Sequence, residues 1–167
     1  MDFYEVVSSR RSVRKYKQDP VDDGKLGRIL EAARLAPSAA NRQPVFFYVI
    51  RDAALRRELF KAYPQQWFVE APVIICACAK SREAWQRGDG KNYADVDVTI
   101  AFDHLILAAT AEGLGTCWIG AFKPDLLSKL LKIPKDLEPI ALTPLGFPAE
   151  QPPAKPRKEL KEILEYR

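Results

Sequence analysis

The 167-residue sequence predicts an α+β fold. Two short apolar runs, Val45–Ile50 and Val73–Ala79, have the length and composition of buried strands. Apolar residues recur at helical spacing in 26–33, and they crowd the longer stretch 97–114. The order of these elements is not the regular strand–helix alternation that a doubly wound parallel sheet requires, which favours α+β.

Taken in order, Asp2 can cap a short helix that carries Phe3, Val6 and Val7 on one side. Asp22 or Asp23 can cap a second, with Leu26, Ile29, Leu30 and Ala33 on its apolar face and Pro37 beyond its end. Val45–Ile50 follows as a buried strand. Asp52 starts a third helix through Leu55 and Leu59, and Val73–Ala79 is the clearest candidate for a buried strand. Residues 97–114 are apolar on most faces, so the prediction is a central helix buried all round, stopped by Gly113 and Gly115. A short strand is expected at 116–119, a small helix at 126–131 and a strand at 139–147. Residues 148–156 hold four prolines in nine positions and should run extended, and 158–167 suits one or two amphipathic turns. No repeat or linker divides residues 1–167, which read as a single domain.

The composition is that of a globular protein, 47% hydrophobic and 29% charged. A net charge of +4, from 26 basic against 22 acidic residues, mildly favours anionic small molecules and does not demand nucleic acid. Cys76, Cys78 and Cys117 lie in apolar stretches, and their odd number suits reduced cysteines in a cytoplasmic protein. With one histidine in the chain there is no cysteine/histidine set for a metal. The start, MDFYEVVSSRRS, lacks the apolar core of a signal peptide, and no apolar run reaches membrane-span length.

No self-sufficient catalytic motif is present: neither a nucleophile elbow, a Walker loop, a zincin helix nor a dinucleotide fingerprint. His104, inside the most apolar helix, reads as a core or interface residue. A cofactor would then carry the chemistry. Three segments can hold one. The first, SRRSVRKYK at 9–17, has five cations in nine residues, and in an extended stretch Arg10, Ser12 and Arg14 share one side. The second, APSAANRQP at 36–44, offers Ser38, Asn41 and Gln43 on a loop stiffened by two prolines. The third, GLGTCWIGAF at 113–122, has Gly120 and Ala121, whose small side chains leave room for a planar ring and whose backbone N–H groups can donate. Each alone also suits a plainer role: a solvated basic surface, a helix-to-strand loop, a tight turn.

Together with EAARLA before the second segment and LGFPAEQPPAKPR near the C-terminus, these segments resemble, in order and separation, the nitroreductase family of FMN-dependent, NAD(P)H-using oxidoreductases. The length resembles that of its minimal members. The resemblance implies a central, mostly antiparallel sheet flanked by helices, and a homodimer with FMN at the interface. A C-terminal extension would cross to the dimer partner. It implies that Arg10, Arg11 and Ser12 hold the FMN phosphate and ribityl chain, with Lys155 and Arg157 closing on the phosphate. Arg14 would lie near flavin N1 and O2. Pro37, Ser38, Ala39, Asn41 and Gln43 would reach the flavin of the other subunit. Gly120 and Ala121 would present backbone to flavin N5. Many members carry an acid at the position of Gly120, so a side-chain role there is absent, and no side-chain acid or base is expected. An Asn or Gln near the flavin edge has two candidates here, Gln65 and Gln66, of which Gln65 is taken.

The implied reaction takes reducing equivalents from NADH or NADPH through flavin N5 to nitroaromatics, quinones or similar flat oxidants, in a ping-pong cycle. Specialised relatives of the fold perform dehalogenation, azoline oxidation or flavin breakdown, generally with extra lid segments or partner domains, and the short length argues against that reading. A non-enzymatic nucleic-acid-binding domain built on 10–17 and 155–158 is disfavoured, because aromatics do not interleave with the basic residues.

Overall fold

A computed structural model describes all 167 residues. Strands β1 (Val45–Ile50), β2 (Val73–Ala79), β3 (Gly115–Thr116) and β4 (Glu138–Gly146) form one antiparallel sheet in the order β1-β2-β4-β3. Strand β2 lies inside the sheet and is buried along its whole length. Its alternation divides the core in two. Val73, Ile75, Ala77 and Ala79 face helices α2 (Asp23–Arg34) and α5 (Ala94–Ala111). Ile74, Cys76 and Cys78 face the other layer, where α3 (Ala53–Glu58), α4 (Gln66–Glu70) and α6 (Pro124–Leu131) lie with Phe68 and Leu127 fully buried. The sheet is thus sandwiched between helices, as α+β predicts. All three cysteines are buried and free.

The predicted caps form. Helix α1 (Phe3–Ser9) opens on a capping box, with Asp2 accepting from the Glu5 N–H and Glu5 accepting from the Asp2 N–H, both at 2.9 Å. Asp22 caps α2 and Asp52 caps α3.

Five expectations need correction. Strand β1 is not buried on both faces: it is the sheet edge, mostly half-buried, and Phe46 is exposed beside Tyr48. Helix α5 starts three residues early because the Asn92 side chain accepts from the Ala94 N–H at 2.8 Å. Nor is it buried all round. Ala94, Val98, Ala101, Phe102, Leu105 and Ala109 face inward at helical spacing, while Asp95, Asp103 and His104 face out. His104 is therefore not a core residue, and its Nδ1 lies 2.9 Å from the Ile100 carbonyl. The strand expected at 116–119 shortens to β3, with Ile119 continuing as a single bridge to Leu142. Helix α4 was not foreseen.

Glu112 locks the end of α5 to α2. It accepts from Arg28 at 2.6 and 2.8 Å and from Lys25 at 3.3 Å. The Arg28 hydrogen bonds, aided by Lys25, hold its carboxyl down at about 2 from an ordinary 4.5. A depressed acid contributes stability above its unfolded pKa and loses it as pH falls through the folded one. Glu112→Gln is therefore expected to lower the urea midpoint at neutral pH, and its deficit against wild type should shrink as pH falls from 4.5 to 2. A deficit constant over that window would mean the ion pair contributes nothing.

Candidate functional site

Residues 12–17 run as an added strip beside the sheet. Ser12 bridges Thr116 in parallel, and the Val13 N–H donates to the Thr116 carbonyl at 2.9 Å. On the other side the Lys17 N–H reaches Phe147, and the Ala149 N–H reaches Lys15 at 2.8 Å. Val13 and Tyr16 turn inward and are buried, with the Tyr16 hydroxyl donating to the Val13 carbonyl at 2.6 Å. Burial pushes the Tyr16 phenol far up. With Val13 anchored inside, Ser12 and Arg14 are left to the outer side.

That outer side is one wall of a cleft of about 550 Å³. Arg10, Arg11, Ser12 and Arg14 line it, and the opposite wall is the returning tail with Glu150, Pro152, Lys155 and Arg157. Glu150 fastens the two walls, accepting from the Arg14 backbone N–H at 2.5 Å. Five cations thus surround one space against a single acid. None of the five makes an ion pair with the chain's own carboxylates. Arg11 spends one nitrogen on the carbonyls of Ser8 and Arg10, at 2.7 and 2.8 Å. Like charges held together without partners repel, so the cleft is arranged for an anion with several oxygens.

Gly115 permits this close packing. A Cβ there would lie 2.9 Å from the Val13 Cβ and Cγ2 atoms. Val13 is β-branched and has little rotamer freedom to yield. Gly115→Ala is expected to push the 12–14 strip off β3 and to destabilise the protein by roughly 1–3 kcal/mol. Equilibrium urea unfolding measures this, and an unchanged midpoint would show that the strip gives way freely.

At the Arg14 end, the guanidinium lies 5.8 Å from the Trp67 ring centroid. The Trp67 indole N–H donates to the Gln65 side-chain oxygen at 3.2 Å. Gln66 instead bonds Glu70 at 3.0 Å. Of the two glutamines, Gln65 is the one connected to Arg14. The chain continues from Thr116 past buried Cys117, whose thiol is pushed up by burial against the lowering pull of Arg14 and the Ser12 hydroxyl. Gly120 and Ala121 follow, exposed, between the Ile119–Leu142 bridge and the Lys123 N–H bond to Ala62. They do not line the cationic cleft.

Neither does the 37–43 loop. Pro37, Ser38 and Gln43 line a second cavity of about 200 Å³ between α2, β1 and α5. Ala40, Asn41 and Gln43 all adopt left-handed φ, at 49°, 54° and 52°. For residues other than glycine this costs roughly 1–2 kcal/mol each, less for asparagine. Within the loop the Ser38 hydroxyl accepts from the Gln43 N–H at 2.9 Å. From outside, Asp97 accepts from the Ala39 N–H at 2.8 Å. A single chain therefore brings Arg10, Arg11, Ser12 and Arg14 together with Lys155 and Arg157, and keeps Pro37, Ser38, Ala39, Asn41 and Gln43 apart from them. Sequence reasoning missed Trp67, Glu150 and Asp97.

A helix-flanked antiparallel sheet with a cationic cleft along one side defines an α+β protein. The nitroreductase family model matches residues 7–70 and 60–147. The chain belongs to the nitroreductase family and is an oxidoreductase. A nitroreductase family protein of Clostridium difficile 630 superposes with a TM-score of 0.91 at 35% identity, covering 99% of this chain and 98% of that one. The NADH dehydrogenase of Thermus thermophilus is 31% identical over 198 residues, spanning 100% of this chain and 97% of its own length. The FMN reductase [NAD(P)H] of Bacillus subtilis is 32% identical, over 90% of this chain and 68% of its own. The 5,6-dimethylbenzimidazole synthase of Rhodospirillum rubrum is 30% identical, over 86% and 81%. No helix is long and apolar enough to cross a membrane.

Proposed function

We propose that residues 1–167 form one FMN-binding unit that passes reducing equivalents from NADH or NADPH to flat oxidants such as nitroaromatics and quinones, in a ping-pong cycle. The observation that carries this is the set of five unpaired cations around Ser12. Their chemistry fits a phosphate monoester, and Arg14, which lines the same cleft, lies over Trp67, which in turn bonds Gln65. Bound FMN supplies the hydride chemistry, which explains a site without a histidine or cysteine acid–base pair.

In this reading Arg10, Arg11, Lys155 and Arg157 neutralise the phosphate, and Ser12 donates to it or to the ribityl chain. Arg14 places fixed positive charge at the pyrimidine edge, with Gln65 beside it. The backbone of Gly120 and Ala121 orients the reacting edge without covering either face. The loop of Pro37, Ser38, Ala39, Asn41 and Gln43 completes the pocket of a second copy. That is supported by its separation from the cationic cleft within one chain. The protein acts as a homodimer with FMN at the interface.

The test is the visible spectrum of the purified protein, followed by steady-state NADH and NADPH oxidation with menadione or nitrofurazone. A flavin spectrum with turnover is expected. A colourless protein that takes up no FMN overturns the reading. Bound flavin without turnover by either donor moves it toward a specialised reaction of the kind carried out by the benzimidazole synthase relative.

A further inference from the structure

Asp97 is 1% exposed and sits among the inward positions of α5, between Ala94 and Ala101. Carboxylates are rarely buried so fully without a paired charge. Here the pairing is incomplete. One oxygen accepts from the Ala39 N–H at 2.8 Å, while Oδ2 is buried without a partner. Asp97 also lines the 200 Å³ cavity shared with Ser38 and Gln43. Its place in the first turn of α5 helps to tolerate the charge. An apolar residue would nonetheless pack at this position without leaving an orphaned oxygen.

We propose that Asp97 is a positioning residue. Its carboxylate fixes the left-handed path of the 37–43 loop, and so the presentation of Ser38 and Asn41 to the cofactor. Ala39 immediately precedes Ala40 and Asn41, both at positive φ. Asp97 is the one side chain outside the loop that hydrogen-bonds to residues 38–43. The loop's other bonds are internal, apart from the Val45 N–H at the start of β1, which donates to the Gln43 carbonyl only two residues away, so Asp97 is the one tie from a distant element. A strained segment persists only where its surroundings over-determine it, and the Ala39–Asp97 bond is the external tie. The proposal rests on the reading that this loop meets the flavin.

The test compares Asp97→Leu, Asp97→Ala and Asp97→Asn. Asparagine keeps an acceptor for Ala39, whereas leucine removes both the acceptor and the buried charge while refilling the space. In the apo protein, amide exchange at 39–43 is expected to accelerate at least tenfold in the leucine and alanine variants, with β2 amides unchanged and asparagine near wild type. In the loaded protein, FMN affinity should fall about tenfold for leucine although the fold is as stable as wild type, and asparagine should restore most of it. A cycle with Asn41→Ala should be non-additive, the second change costing little once Asp97 is gone. Unchanged loop exchange in the leucine variant, or equal acceleration throughout α5 and β2, overturns the proposal, as does strict additivity. If Asn41→Ala alone leaves FMN affinity unchanged, the reading of the loop fails and the cofactor role of Asp97 falls with it. The apo exchange data would still report whether the tie exists, which separates the two failures.

Discussion

Arg10→Ala is expected to weaken FMN binding about 10- to 100-fold, because a charge-assisted hydrogen bond contributes roughly 1.5–3 kcal/mol. Lys155→Ala, on the facing wall, should act in the same direction. In the double variant the dependence of affinity on salt should flatten, since fewer cations are screened. The prediction is sharp because these side chains have no carboxylate partner inside the chain. Truncating them strands no buried charge. The apo variants should be at least as stable as wild type, with the mutual repulsion of the cluster reduced. Fluorescence titration of the apo protein with FMN measures the affinity, and urea unfolding the stability. Undiminished affinity in the double variant would remove the cleft from its assigned role.

Arg14→Ala is expected to act on the ring and not on the phosphate. A cation at the pyrimidine edge stabilises the negative charge that the ring carries when reduced. Its loss should lower the two-electron potential of bound FMN by about 30 mV, the equivalent of roughly 1.4 kcal/mol. The substitution preserves the backbone N–H that Glu150 accepts from, so the tail should stay fastened. Equilibration with a reference dye reads the potential directly. An unchanged potential in a folded, flavin-loaded variant would sink the assignment, and Trp67 would then be the sole reason for an arginine at this position.

The parts of the site legible in the sequence are those set by local periodicity. Arg10, Ser12 and Arg14 could be placed on one side because an extended strip alternates its side chains, and buried Val13 fits that phase, although Arg11 joins the same cleft and Tyr16 turns inward. Lys155 and Arg157 were legible only through resemblance. Nothing local says that a proline-rich stretch folds back over residues more than a hundred positions earlier. Glu150 was missed for the same reason: its partner is 136 residues away. Trp67 was hidden in an apolar stretch where core packing was the ordinary reading. Asp97 left a usable signal, an acid on the inward spacing of an otherwise apolar helix face. The fold misreadings share one cause. Composition reports that β1 and α5 are apolar, but not whether a strand ends at a sheet edge or which helix positions face solvent. Those depend on neighbours that the sequence does not name.

The fastening of residues 12–17 between Thr116 on one side and Phe147 and Ala149 on the other has a consequence for the order of assembly. Contacts this distant along the chain are expected to close late, because the entropy of loop closure must be met before they form. The two core layers around β2 can consolidate while the N-terminal arginines are still unplaced. The cation cluster is complete only when residues 147–157 have joined the arginines. An anion bound by the closed cluster and not by the open chain would stabilise the closed arrangement by mass action.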